Sequence, residues 1–141
     1  MKMQWSKETF AIGEAVTRLP CALAESGSVS AYALLADSGY PERHAEITPD
    51  VVQAVLSDDP ELVNVWLQYS ENKRTPSGWY FFRAPASYIV GYLLVGGRRV
   101  DEFAYVDAIE ACANFIKQEI EEMRQVCERR PRAKRPNKGS N

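Results

Sequence analysis

The feature that most restricts how this chain can fold is an apolar stripe near its C-terminal end. Tyr105, Ile109, Cys112, Ala113, Ile116, Ile120, Met123 and Cys127 recur at steps of three or four residues, with Ala113 directly beside Cys112. That is the period of one helical face. Glu110, Lys117, Glu119, Glu121 and Glu122 fall on other faces, and Pro131 stops the run. The spacing therefore predicts one long helix with charged flanks. A face of this length has to be buried against something broad, and a sheet immediately upstream supplies it.

The sheet is read from "GWYFFRA" and "SYIVGYLLV", short runs rich in aromatic and β-branched residues and separated by Pro85-Ala86. "GGRR" turns into a third strand over residues 98–103, and its Gly96-Gly97 pair suits a two-residue hairpin turn. Side chains alternate along a strand, so Trp79 and Phe81 point one way and Tyr80 and Phe82 the other. Tyr88, Val90 and Tyr92 likewise oppose Ile89, Gly91 and Leu93. Both faces of both strands are apolar, which predicts a sheet covered on both sides, by the last helix and by part of the N-terminal half. Arg83 must then end in solvent or in an ion pair.

The N-terminal half carries helix punctuation. Ser6 caps a first helix that Pro20 ends, and "SVSAYALLADSG" forms a short second one closed by Gly39 and the turn Tyr40-Pro41. Thr48-Pro49-Asp50 and Asp59-Pro60-Glu61 are two clear starts, each with proline in the first turn and a carboxylate at the positive helix end. Trp66 and Tyr69 share an apolar face of the second of these and read as core. The expected architecture is α+β: about four N-terminal helices, a two- to three-stranded antiparallel sheet, and a long C-terminal helix packed on it. It makes one globular domain over 1–127, followed by a basic, disordered tail over 128–141.

Charge separates the same two parts. The 17 Lys/Arg and 19 Asp/Glu include six cations and one acid in 128–141. Residues 1–127 keep 11 basic and 18 acidic residues, a net charge near −7. A body this acidic argues against a fold that grips a phosphate backbone, which needs a basic face, and leaves nucleic acid only to the tail. No apolar run approaches the roughly 20 residues that span a bilayer. The N-terminal residues lack a signal-peptide core, and Cys21, Cys112 and Cys127 show no disulfide or CxxC spacing. The expected location is cytoplasmic, with no membrane partner.

Catalytic patterns are weak. His44, the one histidine, lies in the polar connection "YPERHAEITPD" and reads as solvated. General-base work would need a nucleophile and an orienting acid brought to it. Three scattered cysteines and one histidine do not make a zinc set. Cys112 and Cys127 on the apolar stripe read as buried thiols, and Cys21, after Pro20, as a loop residue. Asp58-Asp59 and Glu121-Glu122 are explained by helix capping and solvation. Phosphate-binding loops are absent, and "SGWYFF" departs from an RNA-recognition strand at Ser77 and Tyr80. No catalytic residue, cofactor or metal is expected. The alternatives are a small enzyme with a site around His44, Arg83 and Tyr92, or a nucleic-acid accessory protein acting through the basic tail.

With "GWYFFR", "YIVGYLL" and "EACANFIKQEI" (residues 78–83, 88–94 and 110–120), the last half of the body resembles small bacterial immunity proteins of polymorphic and contact-dependent toxin systems. The resemblance implies a cytoplasmic protein, not an enzyme, that binds and blocks a cognate toxin. Complementary charge would suit a basic toxin to the acidic body. The partner-facing residues expected on this reading are Asp58, Asp59, Glu61, Glu71, Arg74 and Arg83, on a monomer or homodimer.

Overall fold

A computed structural model describes residues 5–27, 29–73, 75 and 77–129. The chain is α+β. Helices α1 (Lys7–Thr17), α2 (Leu19–Ser26), α3 (Ala31–Asp37), α4 (Tyr40–Arg43), α5 (Pro49–Asp58) and α6 (Glu61–Asn72) come first. A sheet of β1 (Gly78–Arg83), β2 (Tyr88–Leu93) and β3 (Arg99–Tyr105) follows, and α7 (Ala108–Arg129) closes the described fold. Six helices thus precede the sheet where about four were expected. Two prolines account for the difference. Pro20 and Pro41 lie in the first turns of α2 and α4, where the missing N–H costs nothing, so they open helices instead of ending them. Cys21 consequently sits in α2 and not in a loop. The basic tail, apart from Glu128 and Arg129 in the last turn of α7, lies outside the described residues.

Local chemistry sets the helix starts. The Ser6 hydroxyl accepts from the Thr9 N–H at 3.1 Å, and Ser30 caps α3 through the Ala33 N–H in the same way. Thr48 takes the extended cap conformation without a side-chain bond. Asp59, expected to cap α6, turns its carboxylate to Arg18 instead, at 3.1 Å.

The sheet runs β1-β2-β3, antiparallel throughout. Trp79 pairs with Tyr92, Tyr80 with Gly91 and Phe81 with Val90. The β2–β3 connection is a three-residue loop, not a two-residue one. Gly96 and Gly97 adopt φ of 102° and 92° inside the pair formed by the Leu94 N–H and the Arg98 carbonyl. On β3 the pairing shifts between Val90 and Tyr92, where Asp101 takes φ 50°, a bulge in an edge strand.

The core lies on one side of this sheet. Phe81 stacks on Phe115 of α7 at 5.5 Å between centroids, and Trp66 meets the same ring edge-on at 5.9 Å. Such aromatic pairs are worth about 0.5–1.5 kcal/mol beyond the area they bury. The Trp66 indole N–H donates to the Thr17 carbonyl at 2.7 Å, tying α6 to the end of α1. Ala111, Cys112, Phe115, Ile116, Ile120 and Met123 form the buried stripe of α7. Tyr105 belongs to β3, because Asp107 starts the helix later by accepting from the Glu110 N–H at 2.7 Å.

Glu119, placed off the apolar stripe, is nevertheless buried. It accepts from the Tyr69 hydroxyl at 2.6 Å and pairs with Lys73 at 2.9 Å. Two more glutamates of α7 do likewise: Glu121 accepts from the Tyr40 hydroxyl, and Glu122 from that of Tyr92 at 2.7 Å. Three tyrosines from α4, α6 and β2 are therefore fastened to one helix. No helix among the described residues is by itself long and apolar enough to cross a membrane.

Candidate functional site

The two outer edges of the sheet differ. Along β1, α6 reaches the backbone: the Ser70 hydroxyl accepts from the Phe81 N–H at 2.8 Å, and the Lys73 ammonium donates to the Trp79 carbonyl at 2.8 Å. That occupies part of the edge. It also leaves a groove where α6 overhangs the sheet face away from α7.

The expectation of two covered faces fails here. Trp79 and Phe81 face α6 and α7, but Phe82 is 36% exposed and Tyr80 is half-buried. The reason is topological. Both links within the sheet are short hairpins and α7 returns under the Phe81 face, so no helix is free to cross the other one. Polar residues of β3 carried the signal: Arg99, Asp101 and Glu102 do not suit a strand buried on both sides.

This open face is organised. Tyr80 and Phe82 stack at 5.8 Å between centroids and 20° between planes. Gly91, the cross-strand partner of Tyr80, makes room for the ring. A Cβ there would meet the Tyr80 hydroxyl and lie 2.7 Å from its Cζ and 3.2 Å from the Glu102 Cα. The Tyr80 hydroxyl donates to Glu102 Oε2 at 2.8 Å. Burial, followed by that carboxylate, pushes the phenol up to about 12. The Arg99 guanidinium lies over both rings, 5.4 Å from the Tyr80 centroid and 5.7 Å from that of Phe82, within cation–π range. With Asn64, Leu67, Glu71 and Leu93 these residues enclose a groove of about 620 Å³, and Arg83 lines its rim.

The expected partner-facing residues separate into two groups. Glu71 and Arg83 line the groove, and the Arg83 guanidinium lies on the Phe81 side of the strand, 6.0 Å from the Tyr88 centroid. Asp58, Asp59 and Glu61 lie at the α5–α6 corner, with Asp58 and Glu61 exposed and Asp59 held by Arg18. Ten residues of α6 separate Glu61 from Glu71, about 15 Å along the axis. Arg74 lies outside the described residues. Tyr80, Phe82, Leu93 and Arg99 were not anticipated as site residues.

The groups proposed for catalysis do not converge. Arg83 pairs with Tyr88 and Tyr92 with Trp79, about 13 Å apart along the strand. His44 is not in a loose polar connection: it follows α4 directly, half-buried, with Nδ1 3.5 Å from Glu121 Oε2. Glu121 also holds Arg124 at 2.9 Å, and Lys117 donates to the Tyr40 hydroxyl and the His44 carbonyl, each at 2.8 Å. This set joins α4 to α7. Burial alone raises the Cys112 thiol well above its ordinary range, so it acts as a small apolar filler. Among the described residues no group of three or more His, Cys, Asp and Glu side chains could hold a metal ion. No protein-family model, curated protein or solved structure matches this chain, so its function is to be read from the groove's own geometry.

Proposed function

We propose that this chain is a non-catalytic bacterial protein-binding protein, an immunity protein that binds a cognate toxin in the cytoplasm and blocks it by occlusion. The groove between α6 and the open sheet face is its docking site. One observation carries this reading: two stacked rings and an arginine are held in a fixed arrangement on a face that the fold leaves uncovered. Rigid aromatics beside arginine are the residue types that dominate binding energy at protein interfaces, because they offer large contact area at little entropic cost. The contacts of Ser70 and Lys73 along the β1 edge favour docking on this face over strand addition there.

The product of the gene adjacent to this one is the first partner to test. Purified together, the two chains are expected to co-elute from a sizing column, and co-expression is expected to protect cells from that product. A Phe82→Asp variant that keeps its thermal midpoint should lose both. Undiminished complex formation by that variant would remove the groove from the interface, and no complex with the wild-type chain would remove the immunity reading.

A further inference from the structure

The groove's two arginines are poorly paired within an acidic body. Arg18, Arg43 and Arg124 each have a carboxylate within 3.1 Å. Arg99, by contrast, has Glu102 only at 3.8 Å, and the same Oε2 already accepts from Tyr80. Arg83 has no ion pair among the described residues; it rests only near the Tyr88 ring. Two carboxylates stand near these guanidiniums, Glu71, which has no ion pair among the described residues, and Glu102, so what the site lacks is a close partner for each arginine and not negative charge. A guanidinium near aromatic rings with no close carboxylate keeps N–H donors that can take a carboxylate bidentately.

Resting on the reading of this groove as the docking site, we propose that its occupant is a partner segment bearing at least one Asp or Glu next to a large apolar side chain. The carboxylate meets the edge of Arg99, and Arg83 adds its charge at the rim from the Tyr88 side of the strand. The apolar side chain lies on Tyr80 and Phe82 between Leu67 and Leu93. A nucleic-acid strand would meet the same arginine and rings. It would also meet a body of net charge near −7, which repels a run of phosphates but tolerates one or two carboxylates. The acids at the α5–α6 corner then face a different, basic part of the same partner. That gives the footprint two poles and reconciles an acidic body with an arginine-centred groove.

The test is a selection of random phage-displayed dodecapeptides on the immobilised full-length chain, with counter-selection on an Arg83→Gln/Arg99→Gln variant of unchanged urea midpoint. Enriched sequences are expected to place Asp or Glu beside Phe, Trp, Leu or Met. A synthetic member should bind the wild type at least about tenfold more tightly than the variant and weaken as salt rises. Enrichment in Lys or Arg, enrichment without charge bias, or no enrichment overturns the proposal. So does tighter binding of oligo-dT than of any selected peptide, which assigns the groove to single-stranded nucleic acid. The docking reading is judged apart from this. If complex formation with the adjacent gene product is lost in Phe82→Asp but kept in the double arginine variant, the groove stands and its carboxylate chemistry falls.

Discussion

Phe81 and Phe82 are consecutive residues of one strand, yet Phe81 is 1% exposed and Phe82 36%. The first stacks on Phe115 in the core, and the second stacks on Tyr80 beneath an arginine in solvent. Composition does not distinguish them. What does is which side of the sheet the connections can reach. The chain enters from α6 along the β1 edge and leaves into α7 after only Val106 and Asp107, so α7 packs under the Phe81 side. Among the described residues the other face meets the flank of α6 and its own side chains, Tyr80 over Gly91 and Arg99 over Tyr80. An apolar pattern on both sides of a strand therefore states that both sides carry rings. It does not state that both are buried.

Substitutions on either face test that contrast. The largest effect is expected from Phe81→Ala, which opens a cavity against Phe115 and should cost about 3–5 kcal/mol in urea-denaturation stability. A loss below about 1 kcal/mol would show that the packed face is not the core. Glu119→Ala leaves the Lys73 ammonium and the Tyr69 hydroxyl without their carboxylate in a mostly buried site. It should cost roughly 2–3 kcal/mol, the low side of losing one member of a buried pair, because Lys73 keeps some contact with water. Gly91→Ala should cost about 1–3 kcal/mol by displacing the Tyr80 ring, and it should bring the Tyr80 phenol back from about 12 towards 10 in an absorbance titration.

A smaller effect concerns acid. Burial would raise the Glu121 carboxyl, but hydrogen bonds from Arg124 and Tyr40 and the charges of Lys117 and Arg124 outweigh it and hold it at about 2, below the ordinary 4.5. A depressed carboxylate stabilises the fold above its unfolded pKa and loses that contribution as pH falls through its folded one. Stability should therefore decline between about pH 4.5 and about 2, and Glu121→Gln should flatten that limb. An unchanged limb would locate the acid sensitivity elsewhere.

Much of the fold was legible because its signals are local. The α7 stripe has helical period over several turns, Thr48-Pro49 and Pro60-Glu61 mark helix starts, and aromatic runs mark β1 and β2. Pro20 and Pro41 misled because proline breaks a helix interior but opens a first turn, and the residue type alone does not say which. The glutamates of α7 misled for a different reason. Glu119 lies next in sequence to Ile120 of the buried stripe, and only the arrival of Tyr69 and Lys73 from α6 makes its burial affordable. Of the residues that line the groove, Glu71 and Arg83 were expected at a surface on their charge. Tyr80, Phe82 and Arg99 were not, since their role depends on the absence of a covering helix, which is a property of the connections and not of any residue. The polar residues of β3 were the one clue in the sequence.

The most direct measurement is the difference in urea-denaturation free energy between Phe81→Ala and Phe82→Ala, made side by side. Phe82→Ala should stay within about 1 kcal/mol of the wild type, as substitutions on an open surface do, leaving a gap of at least about 2 kcal/mol. Equal losses in the two variants would mean that both faces are buried, and that the groove over Tyr80 and Phe82 is not available to a partner.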